Sequence, residues 1–215
     1  MSVASALSTK PERVVRFSVI QRLTHWCVAI LFGVLMFTAV PLYFGSFFGV
    51  VFERHVIAQI HLWCGLVLPI PVIASLLGPW GAPMRRDLRR VNYWTRAELR
   101  WIKYVGRRAL ETDKYNPGQK LNTIFTGSSI LVMLATGALL QWFRLFPVSW
   151  REGATSVHDA FAYALFAVIG GHVALALTHR DALRSMFSGT VSMKWARSHT
   201  PGWAREEGLD GVENS

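Results

Sequence analysis

HDAFAYALFAVIGGH, residues 158–172, is the stretch on which the fold turns. It begins and ends on histidine, and Asp159 is its only charged residue. It lies within an apolar run over 157–177, and a bilayer hydrocarbon core of about 30 Å takes about 20 helical residues. His158 and His172 are 14 residues apart. On a helix they therefore fall within about 40° of one face and roughly 21 Å apart along the axis. One helix thus presents two imidazoles in the same direction near opposite faces of a membrane.

Three further runs almost without charge cover 23–44, 56–80 and 121–143. Charged groups in lipid are costly and backbone groups there must pair within the chain, so four membrane-spanning helices are expected. The composition of the 215 residues agrees: 52% are hydrophobic, with nine Trp and thirteen Phe, which excludes a disordered chain. Two cysteines, Cys27 and Cys64, both in apolar runs, exclude a disulfide scaffold. The first run lacks a small-x-small cleavage site and is expected to be a span, not a signal peptide. The fold class read from the sequence is an all-α integral membrane four-helix bundle forming a single domain over 1–215.

The charges fix its orientation. The chain has 23 Lys+Arg against 13 Asp+Glu, a net +10. Four of the basic residues precede the first span, eleven lie in the loop 81–120 and five in the tail 180–215, whereas the other two loops hold only Arg54, Arg144 and Arg151. The positive-inside rule then places both termini and the long middle loop in the cytoplasm. A basic stripe for nucleic acid would not divide along alternate loops, so no nucleic-acid partner is expected. In the middle loop Trp94, Leu99, Ile102 and Val105 alternate with Arg96, Arg100, Lys103 and Arg107, the pattern of a basic amphipathic helix at the headgroup boundary. A solvated charge run that only sets topology is the plainer reading. Residues 205–215 turn acidic and are expected to fray, and Trp101, Trp142 and Trp150 suit an interfacial belt.

Four of the seven histidines lie within the spans: His25, His61, His158 and His172. An isolated one would ordinarily be a packing residue bonded to a backbone carbonyl, but an ionisable group inside the membrane is a functional candidate. The relation among the four carries the argument. His25 stands near the inner end of an outward-running helix, and His61 near the outer end of the returning one. Depth therefore pairs His25 with His172 and His61 with His158. Two stacked bis-histidine pairs suit two b-type haems, each iron taking an axial nitrogen from either side of the porphyrin. Gly33, Gly65, Gly137, Gly170 and Gly171 could admit a flat ring, although glycine also serves helix packing in membranes. No C-x-x-C-H occurs, so the haem would not be covalently attached. Zinc fits poorly, since neither pair has a thiolate or carboxylate partner. His55, His179 and His199 are given no ligand role, His179 being placed to cap a helix C-terminus.

With RLTHW (22–26), HLWCG (61–65), KYNPGQK (114–120), HDAFAYALFAVIGGH (158–172) and MFSGTVSMKWARSHTPGW (186–203) in this order over nearly the whole chain, the sequence resembles the gamma subunit of membrane-bound respiratory formate dehydrogenase, a di-haem cytochrome b. The resemblance implies the same ligand pairing, first with fourth and second with third. It implies an iron–sulfur (beta) subunit and a molybdenum- or tungsten-containing catalytic (alpha) subunit that oxidises formate, which this chain would not itself do. It also implies a quinone, menaquinone or ubiquinone, near the inner haem. Its site would be formed by Asn116 and His172, with Gln119 beside them, on amides held by a Pro117-Gly118 turn. Asn116 as a simple helix cap is the structural alternative. The family's tail tends to carry paired histidines where this chain has His199-Thr200. A cytochrome b subunit of a hydrogenase or a sulfur-compound reductase is the closest competing reading. A passive anchor and a stand-alone transmembrane reductase are the others.

Overall fold

The computed structural model describes residues 13–45, 53–104 and 112–209. Four helical stretches are long and apolar enough to cross a membrane: Val19–Tyr43, Arg54–Leu76, Pro117–Gln141 and Val148–Thr178. Only a small share of each is covered by the rest of the chain, and side chains such as Ile30, Phe37 and Leu131 are left exposed on the outside. Apolar surface on that scale is tolerable in lipid, not in water.

The first span, α1 (Val19–Tyr43), starts on a capping box: the Ser18 hydroxyl accepts from the Gln21 amide and the Gln21 side chain accepts from the Ser18 amide. Two orphan N–H groups of the helix start are thereby satisfied. The second span consists of α2 (Arg54–Val67) and α3 (Pro69–Leu76), separated at Leu68. Pro69 and Pro71 supply no N–H, so the hydrogen-bond ladder is interrupted there. The span ends at Leu76, four residues short of the boundary expected from hydropathy. Leu77 is extended, Gly78 has φ +65°, and Pro79–Gly81 forms a 3-10 turn, which removes Trp80 from the helix. Two short helices follow, α4 (Ala82–Asn92) and α5 (Arg96–Lys103).

The third span is α6 (Pro117–Gln141) and the fourth is α7 (Val148–Thr178). The 31 residues of α7 would measure about 46 Å, well over a bilayer core. Its start lies nine residues before the expected boundary because Arg151 and Glu152, excluded by a hydropathy criterion, are still good helix formers once outside lipid. The hairpin halves pack as α1 with α2 and α3, and α6 with α7. Between them Phe32, Leu68 and Leu165 are buried, surrounded by Val28, Leu31, Leu35, Phe125, Ile130, Met133 and Ile169.

A second core lies at the end of the bundle where α1 and α6 begin and α3 and α7 finish. Strand β1 (Arg13–Val15) pairs antiparallel with β2 (Thr190–Ser192), Val14 opposite Val191. Around them fold α8 (Arg180–Ser188), α9 (Met193–His199) and α10 (Pro201–Glu206). Val191, Ala196, Trp203 and Ala204 are buried together, with Val14, Trp195 and Leu209 against them. The fraying expected from 205 onward is therefore corrected as far as 209. Leu209 lies on this core, and its carbonyl accepts from the Arg197 guanidinium at 2.7 and 2.9 Å.

Buried ion pairs tie the middle segment to the spans. Asp87 on α4 accepts from Gln21 Nε2 (2.5 Å), from Lys114 Nζ (2.7 Å) and from the Tyr115 hydroxyl (2.6 Å), so one carboxylate joins α1, α4 and the chain entering α6. Burial pulls the Lys114 ammonium below its ordinary range against the opposing pull of Asp87, and burial pushes the Tyr115 phenol well up. Glu98 on α5 meets Lys120 on α6 at 2.6 Å, and Lys120 also donates to the Tyr93 carbonyl. Lys114 and Lys120, two of the eleven basic residues of the middle loop, are thus paired and buried. In the amphipathic segment Leu99 stays exposed beside Arg96 and Arg100, while Val105 and Arg107 lie outside the described residues.

Candidate functional site

His25 sits in the second turn of α1 and His172 two turns before the end of α7, at the bundle end that carries the second core. His61 lies in the middle of α2 and His158 in the third turn of α7, toward the opposite end. The ring centres of His25 and His172 are 6.4 Å apart, and those of His61 and His158 are 6.5 Å apart. The structure brings together the two pairs expected from depth alone.

These separations can be tested against an iron between the rings. Nitrogen ligands sit about 2.0–2.1 Å from a first-row metal, and a ring centre lies about 1.1 Å behind its nitrogen, so two trans imidazoles have centres about 6.3 Å apart. Both pairs match that span. Stacked imidazoles would be closer and a hydrogen-bonded pair would share a proton, and neither is seen. Among the described residues no three His, Cys, Asp or Glu side chains converge as a metal site. The donor set is two imidazoles alone, which suits a metal whose other ligands come from a planar macrocycle. Among the described residues, a Cβ placed at Gly33, Gly170 or Gly171 would meet no atom within 4 Å beyond its chain neighbours and its own helix backbone, so these glycines do not serve close helix contact.

Two threonines complete the second pair. Thr38 Oγ1 on α1 lies 2.9 Å from His61 Nδ1, and Thr136 Oγ1 on α6 lies 2.9 Å from His158 Nδ1. Each hydroxyl also donates to the carbonyl four residues earlier, Val34 or Val132, both at 2.8 Å. Among the described residues the first pair has no such partners: His25 Nδ1 is buried without a hydrogen bond, and none reaches the ring of His172.

Asn116 and Gln119 are brought to each other. Asn116 Oδ1 accepts from the Gln119 amide at 2.9 Å and Gln119 Oε1 accepts from the Asn116 amide at 3.0 Å, a capping box at the start of α6. Pro117 and Gly118 are not a separate turn, as the sequence suggested, but the first turn of the helix itself, where proline is well suited. Both side chains are exposed, and each keeps its NH2 group as a donor. The other histidines are peripheral. His55 is exposed, the His179 ring caps α7 on the Leu175 carbonyl, and the His199 ring stacks on Trp195 at 4.9 Å.

Residues 16–189 match the family model described as prokaryotic cytochrome b561. The chain belongs to that family. It is 28% identical over 209 residues to the formate dehydrogenase cytochrome b556 subunit of Haemophilus influenzae, covering 94% of this chain and 86% of the relative. It is 24% identical to the cytochrome b556(Fdn) subunit of the nitrate-inducible formate dehydrogenase of Escherichia coli K12 (92% and 93%). It is 26% identical to the cytochrome b556(fdo) subunit from the same strain (91% and 93%). Family membership together with four apolar helices makes the chain an integral bacterial membrane cytochrome b, with haem b as its prosthetic group and electron transfer as its task.

Proposed function

We propose that this cytochrome b is the membrane anchor and electron-transfer subunit of a formate dehydrogenase, passing electrons from an iron–sulfur partner through two b haems to a quinone. The observation that carries the reading is the pair of imidazole couples, each at the span of one iron, placed toward opposite ends of one bundle. His61 and His158 hold the outer haem, and His25 and His172 the inner one. Haem b supplies a reversible one-electron iron couple when bound. The histidines fix its position, and the apolar bundle interior keeps water away. Nothing in this chain handles formate. A catalytic subunit containing molybdenum or tungsten oxidises it, and an iron–sulfur subunit delivers the electrons.

Orientation follows from charge. Arg54, Arg144 and Arg151 are the only Lys or Arg at the end of the bundle where α1 and α6 finish and α2 and α7 begin, so that end faces outward and both termini face the cytoplasm. Asn116 and Gln119 then stand at the cytoplasmic mouth of α6. With their oxygens committed to the helix cap, their NH2 groups are the donors for a quinone carbonyl, and ubiquinone and menaquinone offer the same acceptor. Reduction there takes its protons from the cytoplasm.

The test is a reduced-minus-oxidised spectrum of the purified complex. Formate should reduce both b haems and added quinone should reoxidise them. Haems that formate leaves oxidised but hydrogen reduces would replace formate dehydrogenase with a hydrogenase, and reduced haems that thiosulfate or polysulfide reoxidises would replace it with a sulfur-compound reductase.

A further inference from the structure

The two histidine pairs are equal in span but not in surroundings. Serine and threonine hydroxyls inside membrane helices commonly donate to the carbonyl four residues back, and that alone says nothing of function. Thr38 and Thr136 do this and also reach a histidine on the next helix, each at 2.9 Å, in matching positions of the two helical hairpins. A hydroxyl has one proton and two lone pairs. With that proton on the Val34 or Val132 carbonyl, the oxygen can only accept from the ring, so Nδ1 carries the hydrogen and Nε2 keeps its lone pair. That is the tautomer able to bind iron through Nε2. The opposite arrangement, a hydroxyl donating to Nδ1, would break the helix-carbonyl bond and put the ring proton on the ligating nitrogen.

Resting on the di-haem reading above, we propose that Thr38 and Thr136 are positioning residues that hold His61 and His158 in the ligating tautomer and set the outer haem at a lower reduction potential than the inner one. An imidazole that donates from Nδ1 gains negative character and becomes a stronger donor to iron, which favours the oxidised metal. The outer pair has this bond on both ligands. Among the described residues the inner pair has it on neither, since His25 Nδ1 is buried there without a partner and the His172 ring makes no hydrogen bond. The difference gives electron flow a sense, from the outer haem to the inner. The bond is intrahelical on the hydroxyl's proton side and interhelical on its lone-pair side, so the same contact also fixes α1 against α2 and α6 against α7.

The experiment is a redox titration of the b-haem absorbance in the purified complex with its partner subunits, comparing Thr38→Val, Thr136→Val and the double variant with wild type. The lower-potential component should move upward in each single variant and further in the double one, and the higher-potential component should stay in place. Thr38→Ser and Thr136→Ser should restore the original titration, and the ferric low-spin resonance of the outer haem should change with the Val variants and return with Ser. Thr38→Ala and Thr136→Ala carry the same expectation and serve if a Val chain does not assemble. Immobile potentials, or a shift of the higher-potential component, would overturn the proposal. His61→Ala in the same series separates it from the reading beneath: that variant must lose one haem and the lower-potential component. If it keeps two haems, the ligand assignment itself fails. If it loses one while the threonine variants titrate as wild type, only the role of the threonines fails.

Discussion

A residue that fills two roles can be divided by a substitution that removes one of them. Asn116 caps α6 with its oxygen, and in the proposed function its NH2 is the donor to a quinone. Asp is as good an N-cap as Asn but has no NH2, whereas Ala loses the cap at a cost of about 1 kcal/mol. Asn116→Asp should therefore leave thermal stability near wild type and raise the KM for quinone severalfold, while Asn116→Ala lowers both stability and quinone affinity. Equal quinone kinetics in wild type and Asn116→Asp would assign the residue to the helix start alone. At this scale the histidines are legible in the sequence, because an imidazole in an apolar span has few structural uses and depth restricts its partners. Thr38 and Thr136 are not. Threonine is at home in any membrane helix, and only the neighbouring helix shows that its free lone pair is used. Asp87 is hidden for the same reason: in sequence it is one acid among arginines, and in the fold it gathers Gln21, Lys114 and Tyr115.

Helices declare their middles better than their ends. Hydropathy places all four spans, but the second stops early at a left-handed glycine followed by Pro79, and the fourth starts early because arginine and glutamate disfavour lipid, not helix. The segment between the second and third spans shows how ion pairs organise an element that periodicity only outlines. Burial works against the Glu98 carboxylate, but the Lys120 ammonium at 2.6 Å and the bonds from Thr95 outweigh it and hold it below its ordinary value of 4.5. A carboxyl whose folded value is lowered contributes stability above its ordinary value and loses it as pH falls through the lowered one. The protection of the α5 amides against hydrogen exchange, taken relative to the unprotected rate at each pH in the detergent-purified protein, should accordingly be high at neutral pH and fall as pH drops below 4.5. Glu98→Gln should show low protection already at neutral pH. Protection in wild type that stays constant across that range would mean that α5 is held by its apolar contacts instead.

For the whole molecule, the division of basic residues between alternate loops makes topology readable before any fold is known. What it does not reveal is the second core. Nothing in RVV at 13–15 or TVS at 190–192 announces a strand, and the pairing between them is a contact across almost the whole length of the chain. Trp203 at its centre is 2% exposed, though it lies in a tail that composition alone marks as polar. The orientation has a direct check. A fluorescent protein fused after residue 215 should fluoresce and an alkaline phosphatase at the same place should be inactive, while a phosphatase joined in the connection between the third and fourth spans should be active. The reverse pattern would invert the direction of electron flow across the membrane.

In the proposed function four histidines from three of the spans hold two haems in two specific pairs. Haem counted per chain in the purified complex decides this, for wild type and for His25→Ala, His61→Ala, His158→Ala and His172→Ala. Two b haems are expected in wild type and one in each variant, with His25→Ala and His172→Ala losing the same spectral component and His61→Ala and His158→Ala losing the other. One haem in wild type, or spectral losses that pair His25 with His158, would rule out this ligation.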